Sequence, residues 1–460
     1  MTEFFHAYDL RGTYPDQIGE QEAERLGRAF AAHVRDADEG GRDATIVVGR
    51  DGRRHGEQIT DAFVAGVTAA GVDVRDVGLA PTPALYYASW HDDCYAAAVT
   101  ASHNPPEYTG FKFSRPGGLA MSRDGGMADV ERRYERGEEP SSESDGERRE
   151  EDLLDDYVDF VTSRVDLDGE VSVAANFGNG VAASCGVALL EAIGCDVTAV
   201  NDAIDGDFPS HPPSPGEEAA RRALTDAMTD EDLGVIFDGD GDRAGFVLPE
   251  RGYVPEDQVI ALMAEELVER NGGEGAVVYD LRCSQLVSER VEAAGGEPRE
   301  SRVGHTFIAE AIHAEPEPGT PSVVFAGEVS GHYYFPGLGA PWDDGLLAAA
   351  FIAELASRED LAARIDGYPE YPVSPELRID CPEGAKQGVL ADVEAFYGDR
   401  ETSDVDGVKV FFDAGWALVR PSNTEPKMSV RVEADSEEAL ERLLADVEDV
   451  VRMAIEDNSQ

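Results

Sequence analysis

The sequence predicts an α/β protein in which three related α/β domains with mixed, mainly parallel sheets and a smaller C-terminal α+β domain surround a central cleft. Three observations lead there. A unit of apolar strand, polar loop, amphipathic helix closing on glycine, and second strand recurs, beginning at Thr45, Val171 and Ala276. The chain has 460 residues, too many for one ordinary core. After Gly367-Tyr-Pro-Glu-Tyr-Pro372 the pattern changes to short strands over 408–412, 416–420 and 429–433, then a terminal helix from Ser436.

The first unit runs from Thr45-Ile-Val-Val48 through a helix ending at Gly71 to Val72-Asp-Val-Arg-Asp-Val77. The second runs from Val171-Ser-Val-Ala-Ala175 through a helix ending at Gly194 to Val197-Thr-Ala-Val200. The third runs from Ala276-Val-Val-Tyr279 through a helix ending at Gly295 towards Val303. Glycine suits the left-handed residue after a helix, and strand–helix–strand order implies crossovers on a parallel sheet. Residues 131–156 are charged and poor in apolar side chains, which reads as a linker. The expected domains are 1–148, 149–250, 251–370 and 371–460.

Asp238-Gly-Asp-Gly-Asp-Arg243 follows the apolar run Leu233-Gly-Val-Ile-Phe237, so three carboxylates converge where a buried strand ends. Glycines allow the tight turn, and hard oxygens suit a divalent cation such as Mg²⁺. Arg243 adds a positive fork, fitting a phosphorylated ligand. An EF-hand is excluded, because Arg243 and Pro249 stand where it needs glycine and glutamate. A phosphatase with Asp238 as nucleophile stays open. The second rich segment, Thr100-Ala-Ser-His-Asn-Pro-Pro-Glu-Tyr-Thr-Gly-Phe-Lys112, leaves a strand-like Ala96-Ala-Ala-Val99. Ser102 is a candidate nucleophile there, provided a metal stabilises its oxygen as leaving group.

Acidic residues number 94 against 38 basic, a net charge of −56, and the only lysines are 112, 386, 409 and 427. Such a balance suits work in concentrated salt, so a halophilic protein is expected. It excludes nucleic acid as a partner, since no basic stretch exists to meet a phosphate backbone. Five scattered cysteines without a CxxC pair suggest reduced thiols. With no signal-like N-terminus and no membrane-length apolar run, the chain is expected to be cytoplasmic and to meet no membrane.

Four motifs in order make the chain resemble the α-D-phosphohexomutases, the phosphomannomutase/phosphoglucomutase group. They are Thr100-Ala-Ser-His-Asn-Pro105, Asp238-Gly-Asp-Gly-Asp-Arg243, Gly327-Glu-Val-Ser-Gly-His332 and Arg420-Pro-Ser-Asn-Thr-Glu-Pro426. Further likeness appears in Tyr8-Asp-Leu-Arg-Gly12, Gly49-Arg-Asp-Gly-Arg53, Gly78-Leu-Ala-Pro-Thr-Pro83 and Val303-Gly-His305. The resemblance implies a mutase interconverting hexose 6-phosphate and hexose 1-phosphate, of mannose or glucose, through phosphoserine and a hexose 1,6-bisphosphate. Ser102 would carry the phosphoryl group and join Asp238, Asp240 and Asp242 around one Mg²⁺. Arg243 and Lys112 would neutralise phosphate, with Lys112 as general acid/base and His103 as its alternative or a brace. Glu328 and Ser330 would grip sugar hydroxyls. Arg420, Ser422, Asn423 and Thr424 would clamp the distal phosphate, and Arg11, Arg282 and His305 would line the cleft. Partners would be small sugar phosphates, the chain a monomer or homodimer. A phosphoglucosamine mutase and a non-catalytic sugar-phosphate sensor are the other readings. Thr109, Asn176, His55 and Thr306 depart from the usual pattern, and Thr306 stands where a basic residue is common.

Overall fold

Apolar runs bounded by glycine and proline form four sheets in the computed structural model, which describes residues 4–5, 10–37, 44–137, 144–314, 319–422 and 425–459. The first sheet holds β1 (Leu10–Thr13), β2 (Thr45–Arg50), β3 (Asp73–Leu79), β4 (Tyr95–Val99), β5 (Tyr108–Arg115), β6 (Leu119–Ala120) and β7 (Arg148–Glu150). The second holds β8 (Val171–Asn176), β9 (Cys195–Val200), β10 (Leu233–Phe237), β11 (Ala244–Leu248) and β12 (Gly252–Val254). The third holds β13 (Ala276–Asp280), β14 (Glu297–Ser301), β15 (Val323–Gly327), β16 (Tyr333–Phe335) and β17 (Ala340–Asp343). The fourth holds β18 (Leu377–Asp380), β19 (Thr402–Ser403), β20 (Val408–Phe412), β21 (Gly415–Pro421) and β22 (Lys427–Ala434), all antiparallel, beside the helix Glu437–Asn458.

The first three sheets repeat one topology. Spatial order is β3-β2-β4-β5, β9-β8-β10-β11 and β14-β13-β15-β16, with the first three strands of each run parallel and the fourth antiparallel. Each helix of the recurring unit ends where expected, with Gly71, Gly194 and Gly295 at φ of 80°, 104° and 91°. The loops β4–β5, β10–β11 and β15–β16 are therefore equivalent positions, and they carry Ser102, Asp238–Asp242 and Glu328–His332. Three motifs far apart in the chain are one loop, drawn three times.

One expectation needs correction. The stretch read as a linker contains part of the helix Ala128–Arg136 and the strand β7, which pairs in parallel with β3. The boundary expected between 148 and 149 falls inside that strand. The helix amphipathy was masked by its charge, and Tyr134 and Val130 supply the buried face.

One apolar cluster runs through a face of the first sheet and through the second and third units, including the helix Gly345–Ala356, buried from Gly345 to Leu355. The fourth unit has a separate core built on Val389, Val419, Val430 and Val451. It meets the third unit through a small cluster of Leu281, Trp416 and Leu418.

Candidate active site

Strand alternation places Lys112. Phe111 and Phe113 enter a separate apolar core of the first unit, with Phe30, Val48 and Phe63, so Lys112 between them points to the opposite face, across from Ala98 on β4. There Nζ donates to Asp240 Oδ2 at 2.8 Å and also to Asp242 Oδ2. Ser102, wholly buried, lies at φ 48°, a left-handed conformation rare for serine. Its N–H donates to Thr100 Oγ1 at 2.8 Å, and its hydroxyl donates to Asp238 Oδ2 at 2.8 Å. His103 Nδ1 lies 3.3 Å from the same hydroxyl.

The aspartate loop approaches so closely that a Cβ on Gly239 would stand 2.5 Å from the Ser102 carbonyl oxygen, and Gly241 has φ 78°. Asp238 Oδ1 accepts from the N–H groups of Gly241 and Arg243 at 2.9 and 3.3 Å. Asp240 Oδ2 also accepts from Thr82 Oγ1 at 2.8 Å, and Thr82 N–H donates to the Asp240 carbonyl at 2.9 Å. Asp238, Asp240 and Asp242 bring carboxylate oxygens within 4.8 Å of one another. Asp240 Oδ1 and Asp242 Oδ1 are buried without a hydrogen-bond partner. Buried hard oxygens left open this way fit a divalent cation.

The third loop closes the cluster. His332 Nε2 lies 3.2 Å from Arg243 Nε, 3.6 Å from Asp242 Oδ1 and 3.7 Å from Asp343 Oδ2. Its Nδ1 faces Ser330 Oγ at 2.9 Å and Glu328 Oε2 at 3.2 Å. Glu328 Oε1 accepts from Gly304 N–H at 3.1 Å, beside His305, whose ring is 3.5 Å from Asp343 and stacks on His332. His332 is the residue that sequence reasoning missed, although it stands at the end of a quoted motif. Thr82 was missed similarly.

Charge follows this geometry. Burial and Arg243 favour the neutral His332 ring, but Asp242 and Glu328 push its pKa up to about 9. Burial also opposes charge on Lys112, yet Asp240 and Asp242 outweigh it and raise its pKa. Burial, then Asp242 and Asp240, raise the pKa of Asp238. Arg243, burial and Arg11 hold His103 far below the ordinary histidine value, so its ring is neutral.

Other expected residues lie around this centre. Arg11 Nη1 donates to Asn104 Oδ1 at 2.6 Å. Arg282 pairs with both oxygens of Asp280 at 2.9 and 3.0 Å, and Asp280 also accepts from Val329 N–H at 2.9 Å. Arg420 stands apart from the serine and aspartates. Its Nη2 donates to Asp406 Oδ2 at 2.6 Å, which also accepts from Val303 N–H at 3.1 Å, and its Nε is buried without a partner. The Ser422 carbonyl accepts from Lys386 Nζ at 2.7 Å. Asn423 and Thr424 lie outside the described residues, as do Tyr8 and Asp9. Asn176, where an acid is usual, is fully engaged with His211, Asn201, the Gly178 N–H and the Ala220 carbonyl.

Three copies of one α/β topology, whose equivalent loops join a serine hydroxyl to a carboxylate cage and a cationic rim, define a class of multidomain α/β proteins with a phosphate-handling centre. The chain belongs to the phosphoglucomutase/phosphomannomutase family. Models of that family's alpha/beta/alpha domains I, II and III match residues 2–141, 155–252 and 255–371, and its C-terminal domain matches 376–450. The chain is 33% identical over 446 residues to a phosphomannomutase/phosphoglucomutase of Pseudomonas aeruginosa, covering 95% of this chain and 93% of that protein. It is 34% identical to a probable phosphoglucosamine mutase of Methanopyrus kandleri, covering 99% of both. A solved structure of a phosphoglucomutase/phosphomannomutase family protein from Burkholderia thailandensis superposes with a TM-score of 0.88 at 32% identity, covering 99% of this chain and 98% of that one.

Proposed function

We propose that the protein interconverts hexose 6-phosphate and hexose 1-phosphate, with mannose and glucose phosphates as substrates. The observation that carries this reading is the Ser102 hydroxyl, 2.8 Å from a carboxylate whose two neighbours leave oxygens open. Asp238, Asp240 and Asp242 would hold Mg²⁺, which when bound supplies charge neutralisation at the phosphoryl oxygens. Phosphorylated Ser102 gives its group to the free sugar hydroxyl, so the Ser102 O–P bond breaks as a sugar O–P bond forms. The sugar hydroxyl loses its proton to a basic group of the cluster; Lys112, the expected acid/base, is held charged by Asp240 and Asp242 and so acts first as the acid. The 1,6-bisphosphate turns over, and its other phosphoryl group returns to Ser102. Arg243 and Lys112 neutralise oxygens in transit. Glu328 and Ser330 accept from and donate to the sugar hydroxyls, and Arg282, His305 and Arg11 line the path. Arg420, with its unpartnered Nε, and the Ser422 loop hold the distal phosphate.

The whole-length likeness to a probable phosphoglucosamine mutase supports glucosamine phosphate as the alternative substrate. Parallel turnover of mannose, glucose and glucosamine 1-phosphates, with a trace of the matching bisphosphate, Mg²⁺ and molar KCl, separates these readings. Turnover of the mannose and glucose phosphates above that of glucosamine phosphate is expected, with no turnover by Ser102→Ala. Turnover that survives Ser102→Ala but not Asp238→Asn would replace the mutase reading with an Asp238-nucleophile phosphatase.

A further inference from the structure

The motif Gly49-Arg-Asp-Gly-Arg53 touches none of the residues assigned to substrate, yet its last arginine is 3% exposed beneath the Ser102 loop. Arg53 Nη1 donates to the carbonyls of Pro105 and Tyr108 at 2.7 and 3.0 Å. Its Nη2 donates to the carbonyls of Ser102 and Asn104 at 2.8 and 2.6 Å. Its Nε donates to Asp51 Oδ2 at 3.0 Å, and Asp51 Oδ1 accepts from the Arg53 N–H at 3.0 Å. A guanidinium has five N–H donors, and all five are used within the chain. None remains for a phosphate. The Asp51 carboxylate balances the charge, so Arg53 adds little attraction for a distant anion.

The four carbonyls belong to one turn, residues 102–108, the turn that holds Ser102 at φ 48°. Such a conformation costs free energy and persists only where its surroundings overdetermine it. Asp51 is itself fixed to the strand end by its N–H, which donates to the Val99 carbonyl at 3.1 Å. On the far side the guanidinium carbon stands 5.1 Å from the ring centre of Phe208, in the second α/β unit. The cation thus braces the serine loop from the first sheet while touching the unit that supplies the aspartates.

We infer that Arg53 is a positioning residue for phosphoryl transfer: its guanidinium, clamped on the carbonyls of residues 102, 104, 105 and 108, sets the direction of the Ser102 hydroxyl toward Asp238. The inference deepens the mutase reading and rests on it for its kinetic test. A lysine at this position keeps the charge but offers three donors from one atom, which cannot serve four carbonyls spread around a plane.

The test uses the full chain carrying Arg53→Lys. A misplaced serine weakens the chemical step while the distal-phosphate grip is untouched, so kcat should fall about 100-fold and KM should stay within about threefold. Hydrogen exchange of the amides of residues 102–110 should quicken at least about tenfold while those of β2 keep their protection. A kcat within about twofold of the parent protein, or equal loosening of loop and sheet, overturns the inference. If the lysine variant does not fold, Asp51→Asn, which turns an NH₂ toward one of the two Arg53 donors, is read the same way. It should lower kcat about tenfold at unchanged KM, and an unchanged kcat overturns the inference. An unmodified protein inactive on every hexose phosphate would sink the mutase reading alone, and the exchange measurement would then decide for or against Arg53 by itself.

Discussion

Lys112 shows how one residue is fixed by three levels of cause. Strand alternation aims it away from the first core, burial makes its charge costly, and two aspartates more than a hundred positions away make that charge stable. Removing one partner of such a buried set leaves carboxylates unbalanced, so Lys112→Met should destabilise the protein by about 3–5 kcal/mol. Thermal melts should show the loss reduced by millimolar Mg²⁺, and a loss equal with and without Mg²⁺ would count against the cage. Asp344 offers a second residue-scale test. Burial raises its pKa to about 7, against donors from Leu347 N–H, Tyr157 and Trp342. A raised folded-state value means that its contribution is complete below the unfolded value near 4 and is lost as pH rises through about 7. Asp344→Asn keeps an acceptor for the Leu347 N–H and cannot ionise, so its melting temperature should fall less than the parent's between pH 4.5 and 8. A parallel decline in both proteins would reject the assignment. At this scale the sequence named Ser102, Lys112 and the aspartates, because their residue types are chemically unusual in their setting. It overlooked His332, since a histidine closing a glycine-bounded loop has no distinguishing spacing, and its meaning comes from Arg243, Asp242 and Glu328 gathered by folding.

At the scale of elements, the controlling feature is the equivalent loop that leaves the third parallel strand of each of the first three sheets. Its three copies carry Ser102, the three aspartates and Glu328. Close packing between the first two copies leaves no room for a side chain at Gly239, whose Cβ would meet the Ser102 carbonyl at 2.5 Å. Gly239→Ala should therefore cost about 1–3 kcal/mol through forced displacement. It should also lower kcat more than any surface Gly→Ala change such as at Gly384, where a Cβ meets open space. Urea melts and steady-state rates measure both effects. Helix ends were legible because Gly71, Gly194 and Gly295 announce a left-handed residue, whereas the helix Ala128–Arg136 and β7 were hidden by charge density. An acidic composition blurs amphipathy, since even a buried face is flanked by carboxylates.

For the whole molecule, two facts set behaviour. The first is the charge of −56, whose self-repulsion opposes compaction. Raising KCl from 0.1 to 1 M shortens the screening length from about 10 to about 3 Å, so the melting temperature should rise steeply across that range. A flat or falling response would refute adaptation to salt. The second is the partition of the core: one apolar cluster joins a face of the first sheet to the second and third units, another fills the opposite side of the first unit, and the fourth has its own core and docks through Leu281, Trp416 and Leu418. That separation supports closure of the fourth unit over a bound phosphate. Arg420→Ala should raise KM at least about tenfold while Ser102 is still phosphorylated by a bisphosphate, as intact mass would register. Unchanged KM would reject the clamp.

The order of residues alone determined the repeated α/β units, the chemical types at the loops and the strongly acidic charge, because periodicity, glycine placement and charge are local properties of a chain. Tertiary structure alone decided that the serine meets the aspartates, that His332 joins them, and that Arg53 turns both its Nη groups to the carbonyls of the serine turn. Those facts depend on how separate sheets pack, and distances across a packed interface leave no mark in the linear spacing of residues.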